Sequence, residues 1–182
     1  MKKKAVGLML GMALLATGNA KAQGLTIDRV QLTNDSFDNA QVSGQFGCHG
    51  QNVSPSIRWS GEPDGTRSYL LTMRDADAPT GSGFWHWVVA DIPASVHAIA
   101  TGAGNDASQL PEGALAVKND LGHAGYLGPC PPQGETHRYI VTLTALKIAK
   151  LPVDANATPA VVGFVAHYQA LAQATATIRM KR

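Results

Sequence analysis

Apolar and polar positions alternate in short blocks along most of this 182-residue chain, and the blocks end in Gly, Pro, Asn or Asp. That rhythm predicts a mostly β domain. Leu25-Thr26-Ile27-Asp28 alternates, and Ser56-Ile57-Arg58-Trp59 is a second short block closed by the turn residues Gly61-Glu62-Pro63-Asp64-Gly65. The strongest strands are residues 68–74, 84–92 and 138–146, the middle one densest in aromatic and β-branched side chains. Between Gly102 and Gly134 the periodicity fades into Gly, Pro, Asn and Asp. A connection that long is usually functional or disordered, and this one reads as a packed functional loop with short strands in it. Near the end the period changes. Thr158-Pro159 pairs a capping hydroxyl with proline at the first helical position. Val161, Val162, Val165, Tyr168, Leu171 and Ala172 then recur at spacings that predict a core-facing helical stripe. Residues 174–180 alternate again, as a terminal strand does.

The first residues change the charge picture. Lys2, Lys3 and Lys4 form a basic n-region, residues 5–16 an apolar run, and Ala20-Lys21-Ala22 a small-x-small cleavage site. Residues 1–22 therefore read as a signal peptide and residues 23–182 as one domain, periplasmic or secreted. The apolar run falls short of the roughly 20 residues a spanning helix needs, and no second apolar segment approaches that length, so the mature chain is expected to carry no transmembrane segment. Losing Lys2, Lys3, Lys4 and Lys21 takes the 15 basic residues to 11 against 13 acidic ones, a formal charge of −2. A nucleic-acid partner is not expected, because no cluster of Lys and Arg remains to meet phosphates. The two cysteines, Cys48 and Cys130, favour a disulfide in an exported chain over two separate buried thiols.

Three segments carry unusual polar side chains: Asp75-Ala76-Asp77-Ala78-Pro79, Phe84-Trp85-His86-Trp87, and residues 128–134 leading into His137-Arg138-Tyr139. Strand alternation puts His137 and Tyr139 on one face and Arg138 on the other, and turns His86 away from both Trp85 and Trp87. Singly, each residue has a plain reading. Asp75 and Asp77 suit a strand end, Arg138 an ion pair, and the tryptophans a core.

Together they resemble the signature of the phosphatidylethanolamine-binding proteins, in the bacterial branch also called Raf-kinase-inhibitor-like. The resemblance rests on Asp75-x-Asp-Ala-Pro, on His86 between tryptophans, and on Gly-Pro-x-Pro-Pro-x-Gly before His-Arg-Tyr. Phe46-Gly47-Cys48, Asn52-Val53-Ser54-Pro55 and Thr80-Gly81-Ser82-Gly83 also fit, and Ala76 departs where the family has proline. The resemblance implies two packed antiparallel sheets with a few peripheral helices, including one near the C-terminus. It implies a pocket for phosphate-like or phospholipid-headgroup anions, with Asp75, Asp77, His86, His137 and Tyr139 as ligand-binding residues. Pro79, Pro131 and Pro132 would form walls, and Ala78–Pro79 is the candidate cis bond. No cofactor or metal is implied, and a partner such as a protease or kinase is. The alternative is a hydrolase using the Asp/His cluster, with or without a divalent ion. Against it, the chain has no His-Glu-x-x-His and no Gly-x-Ser-x-Gly.

Overall fold

Eight strands and one α-helix organise residues 24–182, the part of the chain that the computed structural model describes. The expected signal segment and its cleavage site lie outside those residues. Strands β1 (Thr26–Val30), β2 (Ile57–Ser60) and β5 (Ala98–Ile99) form a small sheet in the order β1-β2-β5. The larger sheet takes β3 (Ser68–Asp75), β4 (Phe84–Pro93), β6 (Leu115–Val117), β7 (Thr136–Leu146) and β8 (Ala170–Lys181). Its order is β6-β4-β3-β7-β8, and every neighbouring pair is antiparallel. This is the expected mostly β architecture.

Alternation along β3 divides the core in two. Tyr69, Leu71 and Met73 face the small sheet and pack with Ile57 and Trp59. The Trp59 and Tyr69 rings meet edge to face at 5.4 Å. Leu70 faces outward and joins Val88, Ala90, Val117 and Leu146 under α1 (Pro159–His167). Burying each large apolar side chain of these layers contributes about 1.5–3 kcal/mol. The long connection from Gly102 holds β6 and a single 3-10 turn, Ala107–Gln109, before it crosses the strand ends.

The helix is shorter than the sequence pattern predicts. It opens as expected, with the Thr158 hydroxyl accepting from the Val161 N–H at 3.3 Å and Pro159 in first place. It stops at His167, because β8 begins at Ala170. Only Pro159, Val162 and Ala166 of α1 are buried, while Val161, Tyr168 and Leu171 lie exposed. The expected stripe thus mixes a two-and-a-half-turn helix with the start of a strand. β8 turns Ala172, Ala174 and Ala176 towards the inner core, so its alternation starts earlier than residue 174.

Candidate functional site

Register brings the polar residues to one end of the large sheet. Asp75 closes β3 and pairs with Phe84 on β4 and with Tyr139 on β7. Along β7, His137 and Tyr139 are buried on one face and Arg138 is exposed on the other, as alternation requires. On β4 alternation breaks. Met73 pairs with Trp87 and Arg74 with Trp85, leaving His86 without a partner across the ladder. The extra residue is a β-bulge, a device that re-aims side chains beside binding sites. It sends His86 inward, edge to face with Tyr139 at 5.2 Å, while Trp87 also enters the inner core. The expectation that His86 points away from both tryptophans therefore holds for Trp85 only.

A cavity of about 200 Å³ opens here, lined by Asp75, Pro79, His86, Pro132, His137 and Tyr139, with Phe46, Phe84, Leu127 and Gly128 completing the walls. The 127–132 loop that roofs it is pinned by its backbone. Leu127 N–H donates to the His86 carbonyl at 2.9 Å, and Gly128 N–H donates to the Asn52 side chain at 2.7 Å. A Cβ on Gly128 would sit 2.2 Å from the Gln41 carbonyl oxygen, so only glycine allows this approach.

Protons at the two imidazoles are fixed by their partners. His137 bonds Asp75 through Nδ1 at 2.7 Å and Glu135 through Nε2 at 2.8 Å. Both partners are carboxylates, so both ring nitrogens serve as donors. Burial opposes the charge on His137, but the bonds to Asp75 and Glu135 outweigh it and hold its pKa above the usual value. The other oxygen of Asp75 accepts from the Asp77 and Ala78 N–H groups at 2.9 and 3.1 Å. His86 is the opposite case. Its Nδ1 lies 2.9 Å from the Leu127 carbonyl, which can only accept, so Nδ1 carries the proton and Nε2 is left with a lone pair. Burial pushes the pKa of His86 down despite that bond and the charges of Asp75 and Asp120. Burial, and then Asp75 beside it, push the Tyr139 hydroxyl up, so it stays a donor.

Two of the expected ligand residues are placed elsewhere. Asp77 lies outside the cavity lining, since its carboxylate is taken by Arg138, whose Nε and Nη2 donate at 2.9 and 2.6 Å. That pairing holds the Asp77 carboxyl down to about 2. Pro131 is buried behind the lining, and its carbonyl accepts from Arg182 at 3.4 Å. The Ala78–Pro79 expectation also needs correcting: among the described residues no peptide bond is cis. Asp75, Asp77, His86 and His137 consequently do not assemble as a four-ligand set for a divalent ion. Cys48 and Cys130 are joined in a disulfide, and Cys130 lines the cavity. Sequence reasoning assigned no role to Phe46, Asn52 or Glu135. Phe46 and Asn52 sit in segments that carry the family resemblance, whereas Glu135 precedes β7 and has no signal of its own.

The fold agrees with the comparisons. A sequence model described as phosphatidylethanolamine-binding protein matches residues 33–181. The UPF0098 protein YbcL of Escherichia coli is 46% identical over 147 residues, spanning 80% of this chain and 80% of that one. YbhB of the same organism is 44% identical over 143 residues, 79% of this chain and 90% of its own. The crystal structure of YbcL, titled a new member of the mammalian PEBP family, superposes with a TM-score of 0.81 at 42% identity, covering 87% of this chain and 98% of that one. The chain belongs to the phosphatidylethanolamine-binding protein family.

Proposed function

We propose that the cavity binds a small phosphate-type anion, free or as a phospholipid headgroup, and that the protein acts through this binding. The observation that carries the reading is His137, kept cationic by buried Asp75 in the wall of the cavity. Its Nε2 proton points to Glu135, whose side chain is 55% exposed and can swing into water when a more highly charged anion arrives. Tyr139 adds a hydroxyl donor. His86 contributes Nε2, which accepts from a protonated phosphate oxygen or takes up a proton as the anion enters. Each charge-assisted bond is worth about 1.5–3 kcal/mol net, which supports millimolar to micromolar affinity.

Because an anion favours protonated His86, binding strengthens at mildly acidic pH. Calorimetric titration with a phosphomonoester at about pH 5.5 and about pH 8 should show the tighter complex at the lower value. His86→Ala should lose most of the binding while keeping its far-ultraviolet spectrum. Unchanged binding in that variant, or tighter binding at the higher pH, overturns the reading.

The same reading takes the protein out of the cytoplasm. The basic n-region, the apolar run, Ala20-Lys21-Ala22 and the Cys48–Cys130 bond support export. N-terminal sequencing of periplasmic material should begin at Gln23, and a chain there that keeps Lys2 to Lys4 overturns it. In this reading the bound state is sensed by a partner of the protease or kinase kind. Envelope co-purification that is lost with His86→Ala tests that arm.

A further inference from the structure

Phe46 lines the cavity, yet the residue is 60% exposed. Its backbone sits at φ +57°, and Gly47 follows at φ +76°. A bulky residue rarely occupies the left-handed region unless its surroundings over-determine it, and such positions cluster at ligand sites. Here the holds can be named. Cys48, two residues on, is bonded to Cys130 in the roof loop. Arg182 donates through Nη1 to the Phe46 carbonyl at 3.3 Å and to the Pro131 carbonyl at 3.4 Å, and through Nη2 to the Gly47 carbonyl. Arg182 is anchored in turn: its N–H donates to the Glu135 carbonyl at 3.1 Å, and its carbonyl accepts from Gly134 N–H at 2.9 Å. A Cβ on Gly47 would lie 3.2 Å from the guanidinium, so the clamp closes over glycine.

A disulfide and an arginine therefore keep an apolar ring at the cavity while much of it stays in water. A small polar anion gains nothing from such a ring. A ligand with a flat apolar group would cover it and be held between Phe46 and the other apolar walls, Phe84, Leu127, Pro79 and Pro132. We propose that the ligand is an anion bonded to a flat apolar group, of the aryl phosphate class, and that Phe46 selects it, held in place by the Cys48–Cys130 bond and Arg182. This deepens the anion-binding reading and rests on it.

The test compares inorganic phosphate, glycerol 3-phosphate and phenyl phosphate on the oxidised mature protein. Phenyl phosphate should bind about tenfold tighter than glycerol 3-phosphate, the polar headgroup-like probe. That ratio should fall towards one in Phe46→Ala, in Arg182→Ala, and in wild-type protein with the disulfide reduced. Circular dichroism reports whether each variant is folded. Failure of wild-type protein to bind any of the three overturns the anion site itself. Binding of phosphate with the same ratio in wild type and Phe46→Ala overturns the role of Phe46 and leaves the anion site standing. A ratio that falls in Phe46→Ala but survives both reduction and Arg182→Ala overturns the clamp.

Discussion

At His137 both ring N–H groups meet carboxylates, whereas at His86 one meets a carbonyl and the other nitrogen carries a lone pair. Their contributions to stability therefore run in opposite directions with pH. The raised pKa of His137 gives stability that is fully present below the ordinary value near 6.5 and is lost as pH climbs through the raised value. The lowered pKa of His86 gives stability that is present above 6.5 and lost as pH falls from there towards the depressed value. His137→Gln should flatten the alkaline side of a plot of urea midpoint against pH and leave the acid side sloping. An unaltered alkaline limb would mean that His137 is not cationic in the folded protein. The sequence grouped Asp75 with His86 and His137, but did not show which imidazole Asp75 holds. That choice depends on the bulge at His86 and on Glu135, neither of which alternation reveals. The place of Asp77 outside the lining is hidden for a related reason. Asp75 ends β3 and Asp77 follows within a turn, and only the position of Arg138 decides which of them leaves the pocket.

At the scale of elements, the strands with dense β-branched and aromatic content were read to within one or two residues, because their alternation is anchored by side chains too large to face either way. β8 was harder. Its first four inward positions are alanines, which carry little pattern before Ile178 and Met180, and Leu171 and Ala172 continue the spacing of the helix before it. What marks the helix is its start. Thr158→Ala removes the hydroxyl that satisfies the Val161 N–H, and should cost about 1 kcal/mol in urea unfolding. Thr158→Ser should restore most of that loss, and equal stability of the alanine variant would show that the cap is idle. The bulge in β4 has no local sequence signal. Trp85-His86-Trp87 would alternate regularly on its own, and only pairing with both Met73 and Arg74 forces the extra residue out of the ladder.

At the scale of the whole molecule, the Cys48–Cys130 bond closes a loop with a sequence separation of 82. Loop-closure entropy alone makes it worth up to about 4–5 kcal/mol. Thiol titration of denatured, unreduced protein should find no free thiol, and reduction should lower the unfolding midpoint sharply. Two reactive thiols in periplasmic material would sink the bond. The strand order carries a different consequence, one of time. The strand at residues 68–75 lies between one at 84–93 and one at 136–146, and the last of these pairs in turn with 170–181. The central sheet cannot close until most of the chain is present, and folds dominated by such distant pairings form slowly. Under the export proposed above, that delay is useful, since it leaves an unfolded polypeptide for the translocation machinery to thread. The rim of the pocket waits longer still, because its covalent tie forms only where the surroundings are oxidising.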